Sequence, residues 1–598
     1  MPIHNGEISR ILNEMADLLE IKGENQFRVR AYRNGARSVE NLPKPASQLL
    51  EEETDLSSFP GIGDAIAEKI RQLLETGAIR QHEQLKKELP PGLLDILKIP
   101  EVGPRRVGDL YRHLGVKDLD DLAQAARDDR IDDVPGFGRK LSESIRRNVA
   151  SLRTTSKERR ILLSEAEEIA TGLMDHLTEE SGRGGKNGAV ERIEVAGSYR
   201  RRKETVGDLD ILVIAEPESG IMDRFVGYDG VERVVSHGET RSSVILQGGT
   251  QVDLRLLDSE SYGAALMYFT GSKEHNVAIR RIAQDNGFKV SEYGIFRSGG
   301  ENDTSEADDR TGAGAGERVA GATEEEVFGI LGMDWIPPEL RENLGEIEAA
   351  QEGRLPVLID LKDIRGDLHA HTNWSDGMFS LEEMAQAAMQ RGYEYLAVTD
   401  HSRGLTVANG LDEERLAEQI DEIARLNEGF QNFRLLASTE VNINRDGSLD
   451  LSDEVLRRLD MTVCSIHSAL DLDRDKQTER ILRAMDNPCC SIIGHPTGRR
   501  LGKRQGYDLD FERIYRAAAE KGVALEINAQ PERLDLPDAD ARRAAEAGVM
   551  IAVSTDAHST RNLDYMRFGV GQARRAWLTA KDVLNTRSLK ELQQVLRR

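Results

Sequence analysis

The sequence predicts a multidomain protein with an α-helical N-terminal part, an α+β middle domain and a C-terminal (β/α)7 barrel. Three observations carry this reading. Gly-rich hairpins recur three times between amphipathic helical stretches within the first 150 residues. In the middle of the chain, two aspartates at i and i+2 open an apolar, strand-like run. After residue 361, seven apolar runs alternate with helical ones, and the histidines of that region follow the apolar runs. At 598 residues the chain is too long for a single core.

Residues 8–40 read as two helices, with Ile8, Ile11, Leu12, Met15 and Leu18 at helical spacing. The stretch Arg28-Val29-Arg30-Ala31-Tyr32-Arg33 adds a basic stripe with one aromatic, which alone reads as a solvated helix face. The hairpins are Pro60-Gly61-Ile62-Gly63, Pro100-Glu101-Val102-Gly103 and Pro135-Gly136-Phe137-Gly138. A short helix precedes each. An amphipathic helix follows each, through Ala67 and Ile70, Val107 and Leu110, and Leu141 and Ile145. This is the helix-hairpin-helix layout, in which backbone N–H groups at a helix start can hold a DNA phosphate without reading sequence. The middle copy has Glu101 in place of the first glycine, which weakens its phosphate contact.

A helix is expected over 155–177, then a Gly-rich loop, Ser181 to Gly188. The apolar run Ile193 to Ala196 enters a Gly197-Ser198 turn, followed by Arg200, Arg201 and Arg202. Gly207-Asp208-Leu209-Asp210 then opens the run Ile211 to Ile214. On a strand, positions i and i+2 share a face, so Asp208 and Asp210 stand side by side. Carboxylates that close repel unless a cation holds them, and Mg²⁺ suits carboxylates together with substrate phosphates. The Gly-Ser turn offers N–H groups and a hydroxyl to an anion, and Arg201 adds charge. By themselves the two aspartates read equally well as solvated strand residues. Asp253, in the run Gln251 to Leu257, completes a two-metal site of the kind used for phosphoryl or nucleotidyl transfer. Tyr268-Phe269-Thr270-Gly271-Ser272 then leads into a helix through Asn276 and Arg280. A short strand starts at Glu292-Tyr293-Gly294. Residues 298–317 read as a disordered acidic loop. Trp335 to Pro338 closes the domain, and 339–360 is a charged linker.

The seven C-terminal runs are Ile364 to Leu368, Tyr395 to Val398, Arg434 to Ala437, Met461 to Ile466, Ser491 to Ile493, Val523 to Ile527 and Met550 to Val553. Strands alternating with helices imply a parallel barrel whose site lies at the strand C-termini. His369 and His371 follow the first run, Asp400-His401 the second, Glu440 the third, His467 the fourth and His495 the fifth. Asp556 and His558 follow the seventh, and Asp376 sits in the loop after the first. All six histidines of the region therefore gather at one end of the barrel. Imidazole with carboxylate suits Zn²⁺, Mn²⁺ or Fe²⁺. Such a cluster generates hydroxide near neutral pH and clamps a phosphoryl oxygen, which is phosphoester hydrolysis.

The net charge of −25 does not argue against a nucleic-acid partner, because residues 1–150 are nearly balanced and the acidity lies beyond them. It implies salt-sensitive binding confined to patches. No apolar run approaches the roughly 20 residues of a membrane helix. The start, Met1 to Glu7, has no signal-peptide pattern. Cys464, Cys489 and Cys490 have no metal or disulfide spacing, which fits a reducing cytoplasm.

From about residue 5 to 338 the chain resembles the family X (DNA polymerase beta-like) DNA polymerases. The resemblance rests on the Gly197-Ser198 turn with Arg201, the Asp208/Asp210 pair, Asp253, and Tyr268 to Ser272. It implies a lyase-like helical domain over 1–80 that includes the first hairpin, and helix-hairpin-helix fingers over 81–153. A nucleotidyltransferase palm over 154–259 and a thumb over 260–338 would follow. Asp208, Asp210 and Asp253 would hold Mg²⁺, with Asp253 on the metal that activates the primer 3′-hydroxyl. Gly197, Ser198 and Arg201 would bind the incoming triphosphate. Tyr268, Phe269, Gly271 and Ser272 would line the sugar pocket, and Asn276 and Arg280 would approach the base pair. Lys69 falls at the family's Schiff-base lysine. The family's phosphate-binding lysine four residues earlier is Ala65 here, and the basic residue near Tyr32 is Arg28. Lys69 therefore reads either as a 5′-deoxyribose-phosphate lyase nucleophile, which needs a depressed pKa, or as a helix-surface lysine.

Residues 361–598 resemble the polymerase-and-histidinol-phosphatase (PHP) domain, which implies a trinuclear Mn²⁺ or Zn²⁺ site. By that resemblance His369, His371, Glu440 and Asp556 would hold one ion. Asp376, His401 and His558 would hold a second, and Glu440, His467 and His495 a third. The combined expectation is a cytoplasmic, monomeric gap-filling DNA polymerase of base excision or break repair. It would act on gapped or primer-template DNA with dNTPs. A 3′-5′ exonuclease or 3′-end phosphoesterase would accompany it, extending to abasic-site incision. The alternative is a DNA-end phosphoesterase whose polymerase half only binds DNA.

Overall fold

A computed structural model of the chain describes residues 5–596, apart from residues 41, 43, 45, 53, 98, 100, 101, 129, 138–140, 143, 144, 146–159, 179–189, 217, 218, 298–316, 406 and 407. The expected Gly-rich loop at 181–188, the acidic loop except Glu317, and Pro100, Glu101 and Gly138 of the hairpins lie outside the described residues. No helix among the described residues is long and apolar enough to cross a membrane.

The N-terminal part is helical. Asn5–Lys22 and Gln26–Glu40 are the two helices expected over 8–40. Ile8, Leu12, Met15 and Leu19 are buried at helical spacing against Ile66, Ile70, Val107 and Leu110 of the later helices. At the first hairpin, Gly61 takes φ +82, and a Cβ there would lie 2.4 Å from Ser38 Oγ. Only glycine fits both constraints. Gly63 caps the helix Asp64–Thr76, and Gly103 caps Pro104–Leu114. A Cβ at either residue would meet nothing within 4 Å, so both helix starts open onto free space.

The middle domain is built on a five-stranded sheet. Its spatial order is Val190–Val195, Asp208–Ala215, Gln251–Leu256, Arg241–Leu246 and Val231–His237. Only the second and third of these run parallel. The period of two sorts the strand Asp208–Ala215 cleanly. Leu209, Ile211 and Val213 face the core under the helix Leu163–Thr178, and Leu212 packs on the other face with Tyr262, Ala265 and Leu266. Asp208 and Asp210 share the parity of Leu212. The helix expected over 155–177 begins only at Leu163, because Ile161–Leu162 is drawn into a two-stranded pairing with Thr205–Val206.

Beyond the sheet, the helices Tyr262–Thr270, Lys273–Asp285 and Glu324–Ile330 pack with a three-stranded antiparallel sheet, Phe288–Ser291, Gly294–Arg297 and Arg318–Ala320. The strand expected to start at Glu292 is instead a hairpin, with Glu292-Tyr293 as its turn. The segment 339–360, expected as a charged linker, carries the helix Glu346–Gln351. Its Ile347 and Ala350 join the core of Val327 and Phe328. Just before it, Arg341 is fully buried and pairs with Glu324 at 2.6 Å, and Arg200 reaches the same carboxylate at 2.8 Å.

The C-terminal region has parallel strands in two sheets. One orders Gly366–Ala370, Tyr395–Val398 and Arg434–Ala437. The other orders Glu440–Asn442, Val463–Ser465, Ile492–Ile493, Ala524–Asn528 and Ile551–Ser554. The third expected run is thus followed, after Ser438-Thr439, by a separate short strand. Parallel bridges Ala370–Ala557 and His401–Glu440 join the two sheets on both sides. Leu368, Tyr395, Leu436, Val463, Ile492, Ala524 and Ala552 contribute one side chain each to an inner cluster, and the larger cluster outside it holds the helices. This region packs on the middle domain. Leu534 and Phe568 enter the core under the five-stranded sheet, flanked by Arg567–Glu167 at 3.0 Å and Arg499–Glu204 at 2.6 Å.

Candidate metal centres

The parallel register pairs Asp210 with Asp253 and Asp208 with Gln251. Three carboxylates therefore converge on one face of the sheet, at the N-terminal edge of its second and third strands. Burial, with Asp208 and Asp253 beside it, pushes the Asp210 carboxyl up to about 7. Burial contributes most and like-charge crowding adds to it; a bound cation would offset both. Asp253 accepts from the Ser243 hydroxyl and, at 3.4 Å, from the Gln251 amide. The turn after Val190–Val195 closes on this edge: Ala196 N donates to Asp210 O at 2.7 Å. Gly197 sits at φ +65, and a Cβ there would come within 3.3 Å of Asp210 Oδ2. Glycine lets the backbone approach the carboxylates.

Arg201 leaves that turn to donate to the Thr270 carbonyl and, at 3.1 Å, to Glu342. A Cβ on Gly271 would lie 3.0 Å from its guanidinium, so Arg201 and the Gly271-Ser272 step are neighbours. Ser272 caps the helix Lys273–Asp285 by accepting from His275 N. Tyr268 and Phe269 stand edge to face at 5.1 Å. Arg280 lies over the Tyr268 ring, and Arg255 over that of Phe269. Asn276 donates to the Tyr268 carbonyl at 2.6 Å, and its own buried Oδ1 has no hydrogen-bond partner. Gly197 thus touches Asp210, Arg201 touches the Thr270-Gly271 step, and Asn276 and Arg280 contact Tyr268. Lys69 sits apart from them, on the helix Asp64–Thr76, 5.9 Å from the Tyr32 ring centroid. Burial and then Arg28 push its ammonium below the ordinary lysine value.

The C-terminal strand ends bring the six histidines and Asp376, Glu440 and Asp556 together. Three overlapping groups could each hold an ion: His371, Asp376, His401 and His558; His369, His371 and Asp556; His401, Glu440 and His467. The partition differs from the expected one in four respects: His371 also joins the Asp376 group, His401 joins that of Glu440 and His467, Glu440 is absent from that of His369, and His495 stands in none of the three. His371 stands in two groups, because its ring lies 4.2 Å from that of His558 and its Nε2 lies 3.2 Å from Asp556. His401 joins Glu440 at 2.8 Å as well as Asp376 at 3.7 Å. His495 Nε2 also reaches Glu440, at 2.9 Å.

The donor set fits divalent cations. His369 Nε2, both ring nitrogens of His371, and Nδ1 of His467 and His495 are buried without a hydrogen-bond partner. Buried polar atoms are rarely left so, and a cation could take the one lone pair that each neutral ring offers. Burial, then His558 and His401, brings His371 down to about 3, so it is a neutral donor. Burial also opposes charge on His558, yet Asp376 holds it up at about 9. His401, His467 and His369 overcome burial to hold the Glu440 carboxyl well below its ordinary range.

Four supporting residues were not legible as site residues. Glu526 accepts from His369 Nδ1 at 2.7 Å and from His495 N at 2.6 Å. Asn528 donates to Asp556 at 3.0 Å. Asp400 accepts from Thr372 N, Ser375 and Gln419, and Asp367 accepts from Thr555 N at 3.1 Å. The signal was a lone carboxylate inside an apolar strand run, as in Ala524-Leu525-Glu526-Ile527.

Comparison with known proteins places this architecture. A DNA polymerase beta thumb model matches residues 265–342, and a PHP domain model matches 367–530. A helix-hairpin-helix domain matches 3–79 and a SAM-like helix-hairpin-helix tandem 93–148. Over 599 residues, spanning the whole of both chains, the sequence is 37% identical to the DNA polymerase/3′-5′ exonuclease PolX of Bacillus subtilis. The chain belongs to the PolX family. Two partial likenesses flank that full-length one. A probable phosphatase of Thermoanaerobacter sp. is 30% identical over 231 residues, 37% of this chain and 89% of its own length. DNA polymerase lambda of Rattus norvegicus is 22% identical over 368 residues, 57% of this chain and 56% of its own. A PolX-family chain thus has relatives among both polymerases and phosphatases, in keeping with two separate ligand sets.

Proposed function

We propose that this PolX-family chain is a DNA-directed DNA polymerase that fills short gaps during repair and trims 3′ ends at a second centre. The observation that carries the reading is the presence, in one chain, of two complete and chemically different ligand sets. Asp208, Asp210 and Asp253 form the polymerase centre and would hold Mg²⁺. His369, His371, Asp376, His401, Glu440, His467, His495, Asp556 and His558, at the mouth of a (β/α)7 barrel, would hold Mn²⁺ or Zn²⁺. Bound there, the cations supply positive charge to phosphoryl oxygens and an activated oxygen nucleophile.

The protein's own residues do the rest. The Gly197-Ser198 turn presents N–H groups and a hydroxyl to the triphosphate, and Arg201 adds a charged donor. Tyr268 and Phe269 pack the sugar, while Asn276 and Arg280 meet the base pair. The open helix starts at Gly63 and Gly103 take phosphates of gapped DNA. In the second centre Glu526 fixes the His369 tautomer, so that Nε2 is the ligand atom. The enzyme works as a monomer in the cytoplasm. Lys69, with its depressed ammonium, gives a subsidiary 5′-deoxyribose-phosphate lyase activity. Borohydride should trap that substrate on wild type and not on Lys69→Ala; equal trapping on both excludes the lyase.

Primer extension on one-nucleotide-gapped DNA tests the main reading. Extension with dNTPs is expected. Trimming without extension would instead establish a DNA-end phosphoesterase whose polymerase half only binds DNA.

A further inference from the structure

The turn that carries Ser198 and Arg201 is gripped from the C-terminal domain. Arg575, the last residue of the helix Met566–Arg575, is buried. Its Nη1 donates to the Arg201 carbonyl at 2.9 Å and to Glu342 Oε1 at 3.0 Å, and its Nη2 donates to Asp538 at 2.5 Å. Glu342 Oε1 also accepts from Arg201 Nε at 3.1 Å, and Lys203 Nζ lies 3.8 Å from it. Three cationic side chains from two domains therefore converge on one carboxylate oxygen. Burial would raise the Glu342 carboxyl, but Arg575, Arg201 and Lys203 together hold it below the ordinary range. Glu342 is thus an anion, paired with the guanidinium that sits beside Gly271, one turn on from the Gly197 approach to Asp210.

Geometry and charge give this arrangement a consequence. Glu342 already holds Arg201 Nε and the Thr270 carbonyl holds Nη1, so a triphosphate that pairs with Arg201 must share its charge and its remaining donors with Glu342. Arg575 bears on that competition twice: it shares the Glu342 charge, and it anchors the Arg201 backbone. We propose that Glu342 holds Arg201 in place of the nucleotide, and that Arg575, from the exonuclease domain, is a positioning residue that weakens this hold and so sets nucleotide affinity at the polymerase centre. The proposal rests on reading Arg201 as a triphosphate ligand.

Two opposite effects follow. Glu342→Gln removes the competitor and releases Arg201. Arg575→Ala leaves Glu342 to Arg201 and Lys203 alone, and it frees the turn backbone. In the double variant the competitor is gone, so loss of Arg575 should matter much less. A purely structural role predicts the reverse, with the two losses adding.

The test is steady-state gap filling by the full-length protein, with KM for dNTP and kcat read separately and 3′-end trimming of a single-stranded primer as control. For exchange of one charge-assisted hydrogen bond, Glu342→Gln should lower KM about fivefold and Arg575→Ala raise it about tenfold, with kcat and trimming little changed. Arg575→Lys should fall between Arg575→Ala and wild type, and the double variant should return to or below the wild-type KM. If Glu342→Gln and Arg575→Lys leave KM unmoved, the coupling is refuted. It is equally refuted if kcat, trimming and melting temperature fall together. Arg201→Ala separates the two levels: a raised KM upholds Arg201 as a triphosphate ligand whatever the other variants do. An unchanged KM refutes that reading and this inference with it.

Discussion

The two candidate metal centres offer a cation contrasting donor sets. In the middle domain three carboxylates stand on the second and third strands of a sheet, with Asp208 exposed and Asp210 and Asp253 partly so. In the C-terminal region six imidazoles share the work with three carboxylates, and most of the nine are buried. The difference is electrostatic. Carboxylates alone cannot neutralise one another: burial, and then Asp208 and Asp253, push Asp210 up to about 7, and a hard cation would offset that crowding. Imidazoles and carboxylates can share protons, so the second donor set is a near-neutral cage, and its nitrogen donors suit transition-metal ions.

This contrast can be broken in graded steps. The largest effect belongs to the carboxylate triad. Asp253→Ala should lower gap filling by about a thousandfold or more, because an unmatched metal site loses charge stabilisation at the reacting oxygens. Trimming should stay near wild type, which a single gel-based assay of both products checks. Next comes selectivity between the metals. After chelation, Mg²⁺ alone should restore addition while trimming waits for Mn²⁺ or Zn²⁺, with metal content measured directly on the protein. Full recovery of trimming with Mg²⁺ would erase the donor-set distinction.

A smaller step sharpens the idea of a cage. Glu526→Gln keeps the shape but weakens the grip on His369 Nδ1. Metal affinity at the C-terminal centre should fall about 10- to 100-fold, the usual cost of losing a carboxylate behind a ligating histidine. Titration of apo-protein with Mn²⁺ reads this independently of activity. The smallest functional effect is expected at the Glu324 knot behind Arg200. Glu324→Gln leaves Arg341 buried without its counter-charge and should cost about 3 kcal/mol of stability. Arg341 and Arg200 overcome burial to hold the Glu324 carboxyl below its ordinary value. Its contribution is therefore present above the unfolded carboxylate pKa and lost as pH falls through the lower folded one. The melting-temperature gap between wild type and variant should narrow in acid.

Much of each centre was legible in the chain because it depends on short periods. The i, i+2 spacing of Asp208 and Asp210 fixes their common face, and the period of strands in the C-terminal region puts every histidine at one end. What was hidden depends on distance in sequence. Nothing local says that His371 lies between two groups, since only the closing bridge of Ala370 to Ala557 brings His558 over its ring. Glu526 reads as one polar residue in a strand until the parallel strands of this region bring it behind His369. The segment 339–360 looks like a linker by its charge, yet Ile347 and Ala350 supply apolar area that the neighbouring helices bury. Arg575 and Glu342 are separated by most of a domain and meet only because the C-terminal region packs on the middle one.

The central claim is that two independent centres act on the same 3′ end, and one substrate tests it. A gapped DNA with a labelled primer is given to Asp208→Ala/Asp210→Ala and to His369→Ala/His371→Ala, each folded as judged by its melting curve. The first should lose extension and keep metal-dependent trimming, and the second should keep extension and lose trimming. Loss of both activities in either folded variant would contradict the two-centre account.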